Sequence, residues 1–259
     1  MTSTFKYRTR KLRRGFKKFS LLFFLVLIVV FVLVVFNIAD LFSSVITNKG
    51  SLLYGEKIRI PNTIYYGMSV YNSSSKEKCK EKSKEVIKQG GAGCLYQMGD
   101  YFVLTSIYLS HEEAREIKEN LSKIDSVKII NINVPVININ YKGNHLSDNN
   151  EMFLTYNKLF KKLYDLSINY DTGNISSVEV KKEVGVISSE FGQKIANFDA
   201  IYKKEKYEFQ NKLLKSLKDI KIEIDNLLTC DSVELMLNSK IKEVYCNIVL
   251  EFYNLAKII

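Results

Sequence analysis

The sequence predicts an α+β protein: a single N-terminal transmembrane helix, a β-α-β-β-α-β domain of the ferredoxin-like, split βαβ kind, and a C-terminal α-helical bundle. Three observations predict it. An unbroken apolar run, Leu21 to Phe36, follows a strongly basic start. Between Tyr65 and Tyr141, segments with the alternation of strands exchange with segments of helical spacing. Beyond residue 148 apolar side chains hold three-to-four spacing almost to the end, with no proline after Pro135.

The charge is localised. Residues 1–19 carry Lys6, Arg8, Arg10, Lys11, Arg13, Arg14, Lys17 and Lys18 and no acidic residue. Removing those eight from the 38 basic residues leaves 30 against 28 acidic ones, so the formal +10 is a property of the tail and predicts no nucleic-acid partner. The apolar run with its flanks reaches roughly the 20 residues that a membrane helix needs. Lipid offers no hydrogen bonds to the backbone, so the segment is helical despite its many Val and Phe residues. Basic residues on its N-terminal side place residues 1–19 in the cytoplasm and the rest outside it, after a helix over 20–38 and a linker over 39–62. A cleaved signal peptide shares the basic start, but Ile38-Ala39-Asp40 lacks its small-x-small cleavage site.

Residues 63–142 read as one domain. Tyr65–Tyr71 is a strand, and the Asn72-Ser73-Ser74-Ser75 cluster supplies a turn and a helix N-cap. Lys76–Gln89 is a helix with Cys79, Ser83, Val86 and Ile87 on its inner face, stopped by Gly90-Gly91. Cys94–Met98 and Tyr101–Tyr108 form a hairpin about Gly99-Asp100. Ser110 with Glu113 is a capping box for a second helix whose inner face holds Ala114, Ile117 and Leu121. Ile129–Tyr141 alternates as one or two strands broken near Pro135.

Two half-repeats, Tyr65-Tyr66-Gly67-Met68-Ser69-Val70-Tyr71 running into Asn72-Ser73-Ser74-Ser75-Lys76-Glu77, and Gly99-Asp100-Tyr101-Phe102-Val103-Leu104-Thr105-Ser106 running into Ser110-His111-Glu112-Glu113-Ala114, resemble a sporulation-related repeat (SPOR) domain. The resemblance covers residues 63 to about 141. Ser69 stands where the family has glutamine, and Tyr71 and Ser106 stand where it has glycine. The resemblance implies a membrane-anchored, peptidoglycan-binding protein of sporulation or cell division, whose sheet takes glycan strands stripped of stem peptides. It also implies that Ser69 and Asn72 contact the glycan.

Alternation supports such a surface independently. If Met68 and Val70 meet the helices, Tyr65, Gly67, Ser69 and Tyr71 face the other way, as do Phe102, Leu104 and Ser106. A face carrying Tyr65, Tyr71, Phe102 and Leu104 beside Ser69 and Asn72 offers flat apolar rings and hydrogen-bonding groups to sugars. The alternative is that this face is covered by the C-terminal helices or by a protein partner, since apolar patches usually meet something. In that case the chain is an extracytoplasmic protein-protein adaptor without glycan binding.

Residues 148–259 predict three or four antiparallel helices, or one long helical hairpin, starting after Asp148 as a cap and broken at Asp171-Thr172-Gly173-Asn174. These helices are also where a protein partner would be held. No enzyme signature is present: His111 and His145 have no HExxH spacing, and neither a phosphate loop nor a G-x-S-x-G elbow occurs, so no catalytic residue, metal site or cofactor is expected. Of the four cysteines, Cys79 and Cys94 sit too far apart to bridge, while Cys230 and Cys246 can join the last two helices.

Overall fold

The computed structural model describes residues 56–121, 127–143, 145–203, 207–230 and 234–259. The basic tail, the membrane helix expected over 20–38 and residues 39–55 of the expected linker lie outside them. Among the described residues no helix is long and apolar enough to cross a membrane.

The described residues form an α+β structure with six helices and two sheets. The linker expected over 39–62 is corrected at its end, because Glu56–Ile60 is a strand, β1. Ile58 and Ile60 are buried while Lys57 and Arg59 are exposed, the alternation of a half-buried strand. Then come β2 (Thr63–Ser73), α1 (Lys76–Lys88), β3 (Cys94–Met98), β4 (Asp100–Tyr108), α2 (His111–Asn120), β5 (Lys128–Val134) and β6 (Ile137–Tyr141). Pro135 marks the break between β5 and β6, as its missing N–H requires. The main sheet has the order β3-β4-β2-β5 with every neighbouring pair antiparallel, while β6 leaves it to pair with β1.

The helix starts follow their caps. The Ser75 hydroxyl accepts from the Lys78 N–H, and the Ser110 hydroxyl accepts from the Glu113 N–H at 3.4 Å. The capping box expected at Ser110 is only half made, because the Glu113 carboxylate accepts from the Tyr164 hydroxyl instead. Gly93, at φ +68, carries the chain out of α1; a Cβ there would lie 2.6 Å from Ile87 Cγ1 and 2.8 Å from the Ser83 carbonyl.

Four helices follow: α3 (Leu146–Asp171), α4 (Ser177–Ile201), α5 (Glu208–Thr229) and α6 (Glu234–Ile258). The cap expected at Asp148 is corrected: α3 starts from His145, and Asp148 sits in the first turn with its carboxylate 3.1 Å from His145 Nδ1. Ser176 opens α4 with a complete capping box to Glu179. Successive helices run antiparallel. Lys162 meets Glu190 and Lys194 meets Glu151 between α3 and α4, and Ser188 meets Asp225 between α4 and α5. Between α5 and α6, Asn247 meets Glu223 and Ser216 meets Glu251.

The expected division into a domain over 63–142 and another over 148–259 does not separate two bodies, since Lys57–Ile259 is one compact unit. The reason is that both faces of the main sheet are apolar. One continuous core runs from Ile58 through Tyr65, Leu104 and Ile132 into Phe153, Phe160, Tyr245 and Phe252.

Candidate functional site

The sheet face expected to bind glycan is closed by the chain's own last helices. Helices α1 and α2 cover one face of β2, β4 and β5, while α6 packs on β3, β4 and β5 and lies alongside α3. From α3, Phe160 sets its ring edge-on to Tyr65 at 5.2 Å, and the Tyr65 hydroxyl donates to the Asn157 side-chain oxygen. From α6, Tyr253 meets Tyr96 edge-on at 5.6 Å, and Tyr245 Oη lies 2.6 Å from Ser106 Oγ. Gly67 lets this packing close, because a Cβ there would lie 3.1 Å from Leu104 Cδ2 and 3.2 Å from Ile132 Cδ1.

The six residues predicted for the glycan site therefore separate. Tyr65 (1% exposed), Ser69 (0%), Phe102 (9%) and Leu104 (0%) are buried. The expectation that they offer an open surface is corrected: these side chains are core, and the Ser69 hydroxyl is spent on the Tyr71 carbonyl at 3.0 Å. Tyr71 is corrected differently. The register steps from Met68↔Ser106 to Ser69↔Leu104 and then Tyr71↔Val103, so each strand carries one extra residue. Such bulges invert the alternation beyond them. Tyr71 thus shares a face with Val103 and packs on the α1 side near Cys79 and Val86. Only Asn72 keeps an accessible polar role. Its amide donates to Asp100 at 3.4 Å and its oxygen accepts from Lys128 Nζ at 3.1 Å, forming a small rim at the end of β2.

A cleft with no motif to announce it in the sequence lies where the sheet meets α1, α2, α3 and α6. Its volume is about 590 Å³, with Met68, Thr105 and Ser106 from the sheet, Val86 from α1, Ile117 from α2 and Tyr164 from α3 among its walls. Its ends are polar, but the charges there are already matched: Lys242 Nζ lies 2.8 Å from Asp171 and also donates to the Gly90 carbonyl. Burial pushes the Tyr108 phenol up to about 12, and burial together with the Glu113 carboxylate pushes Tyr164 up as well. Both phenols keep their protons near neutrality and act as hydrogen-bonding groups rather than bases.

His111 and His145 are exposed and far apart in role. The His111 ring rests edge-on against Tyr66 at 5.3 Å, and His145 pairs with Asp148 and meets Tyr202. Among the described residues no three His, Cys, Asp or Glu side chains gather where they could hold a metal ion. The cysteine pairing expected between Cys230 and Cys246 is corrected as well. Both thiols are free, and Cys246 is buried on the turn of α6 where Cys94 Sγ of β3 lies 3.2 Å from Asn247 Oδ1.

Comparison with known proteins adds no assignment: no family model, no curated protein and no solved structure matches the chain.

Proposed function

We propose that this chain is a noncatalytic, single-pass membrane protein whose extracytoplasmic part is a protein-protein adaptor, with a SPOR-like half that carries the C-terminal helices instead of binding glycan. The observation that carries this reading is the closed sheet face, where Tyr65, Ser69, Phe102 and Leu104 are buried beneath α3 and α6. A glycan strand would have to displace two helices and an aromatic core to reach them. The strand order, with antiparallel β4 lying between parallel β2 and β3, supports the split βαβ, SPOR-like relationship at the level of topology. The basic tail and the apolar run over 20–38 support the anchor and the orientation.

The partner-bearing surface falls to α4 and α5. These two helices pack chiefly on other helices instead of on the main sheet, so their outer sides are the part of the unit least committed to the core. The role in sporulation or division rests on the SPOR resemblance.

The test is co-sedimentation of the full chain in detergent with peptidoglycan sacculi, before and after amidase removes the stem peptides. The adaptor reading expects the same low background in both preparations. Binding that rises after amidase and is lost in an Asn72→Ala variant, which alters the accessible rim without opening the core, would return the function to glycan recognition. Protease added to intact spheroplasts tests the address separately, with cleavage of the part beyond residue 57 expected.

A further inference from the structure

The last helix is held over the sheet by more than packing. Cys94 begins β3, which has a strand neighbour on only one side, and Cys246 lies in the fourth turn of α6. Cys94 Sγ sits 3.2 Å from Asn247 Oδ1 and 3.5 Å from the Glu243 carbonyl, so it is seated on the turn of α6 that carries Cys246. Glu243, Cys246 and Asn247 share one face of α6, so Cys246 lies beside that seat, and both cysteines are buried, Cys94 at 6% exposed and Cys246 at 0%. Asn247 is fixed from behind by donating to Glu223 at 3.0 Å, which steadies the seat. The other two cysteines are engaged elsewhere: the Cys79 thiol lies 3.4 Å from the Tyr101 carbonyl under α1, and Cys230 ends α5.

We infer that Cys94 and Cys246 form a disulfide that fastens α6 across the sheet face and makes its closure covalent. It rests on the extracytoplasmic reading only for its oxidising surroundings. The chemistry is exchange with a disulfide oxidant, either a small disulfide or that of an oxidoreductase. One cysteine thiolate attacks the oxidant's S–S bond, giving a mixed disulfide and releasing one thiol; the second cysteine then displaces the other sulfur. Two cysteine S–H bonds and one oxidant S–S bond become the Cys94–Cys246 bond and two oxidant thiols. Burial pushes the Cys246 thiol well up, so closure accompanies the docking of α6 in folding instead of following it. The bridge closes a loop of about 150 residues, in the range where the loss of chain entropy from the unfolded state is large.

The experiment alkylates thiols in native membranes before solubilising the full chain, then maps a non-reducing digest. A linked peptide joining Cys94 to Cys246 is expected, with Cys79 and Cys230 alkylated. Reduction is expected to lower the unfolding midpoint of the purified chain by roughly 5–15 °C, and to leave the Cys94→Ser and Cys246→Ser variants unmoved. Alkylation of both thiols in native membranes, or a peptide joining Cys246 to Cys230, overturns the inference. Refolding the reduced chain in oxidised glutathione then locates the failure: a pair that closes there but not in membranes faults the compartment, and one that closes in neither faults the geometry.

Discussion

The Tyr65 hydroxyl donates to the Asn157 side-chain oxygen, which ties an inner strand of the sheet to α3 at the place where an open binding surface was expected. Tyr65→Phe removes that bond and leaves the Asn157 oxygen to find another partner, at an expected cost of about 1–2 kcal/mol. Tyr65→Ala also removes the ring that meets Phe160 and is expected to cost about 3–5 kcal/mol. Guanidinium unfolding of the full chain measures both. A Tyr65→Phe variant as stable as the parent would show that the tie contributes nothing.

Leu104 and Leu109 lie five positions apart on either side of the end of β4, and their surroundings differ sharply: Leu104 is 0% exposed and Leu109 is 43% exposed. Leu104→Ala is expected to cost about 2–5 kcal/mol, because it opens a cavity between the sheet and α6. Leu109→Ala is expected to change stability by less than about 0.5 kcal/mol. Similar losses at the two positions, read from denaturation midpoints at unchanged slope, would mean that the sheet face opens in solution.

Much of this fold was legible in local pattern. Serine caps at Ser75 and Ser110, the Gly99-Asp100 hairpin and the Pro135 break each have a cause within a few residues, and each appears where expected. The face of the sheet was legible only as a pair of alternatives. Tyr65, Phe102 and Leu104 have the same side-chain period whether they meet sugar or a helix, and what decides between them is the path of chain nearly a hundred residues later. Tyr71 was misplaced for a different reason: alternation counts residues, and the two bulges near Val70 and Thr105 change the count without altering any residue type. The placing of Cys94 on the turn of α6 that carries Cys246 depends on both long-range effects, so spacing along the chain pointed to Cys230 instead.

Glu223 predicts a pH dependence. Burial raises its carboxyl above the ordinary range; the bond from Asn247 partly opposes this, and Glu243, Glu251 and Asp219 reinforce it. The folded chain therefore keeps this proton at a pH where the unfolded chain has released it. Stability attributable to Glu223 falls as pH rises from the ordinary glutamate value through the raised one. Glu223→Gln retains an acceptor for Asn247 and cannot ionise, so it is expected to flatten that fall and raise the midpoint at neutral pH by about 1–3 °C. Parallel midpoint-versus-pH curves for the two proteins would remove Glu223 as the cause.

Asn149, Gln210 and Tyr202 join three helical segments through a buried polar network. The Asn149 amide donates to the Tyr202 hydroxyl at 2.7 Å, and Gln210 Nε2 donates to Asn149 Oδ1 at 2.9 Å. Asn149 and Gln210 are fully buried, so removing one leaves the other without its partner in a low-dielectric interior. Asn149→Ala is expected to cost about 2–3 kcal/mol, more than one exposed hydrogen bond would. Combining it with Gln210→Leu should cost less than the two single changes together, because the second substitution removes the orphaned amide. Strict additivity of the free energies would show that the two residues do not act on each other.

Ser106 and Tyr245 make the most direct polar link between the main sheet and α6, with their oxygens 2.6 Å apart. Burial pushes the Tyr245 phenol well up, and the Ser106 hydroxyl only partly offsets this. The phenol therefore keeps its proton around neutral pH, so the link has no pH switch there. A double-mutant cycle of Ser106→Ala and Tyr245→Phe is expected to give a coupling of about 1 kcal/mol, the same at pH 6 and pH 8. Ser106 stands where the SPOR resemblance has glycine, and a glycine there could not reach Tyr245 at all. A Ser106→Gly variant that lost the coupling while keeping the chain folded would tie this departure from the family pattern to the covering of the sheet; a coupling near zero in the cycle would leave the departure unexplained by the α6 contact.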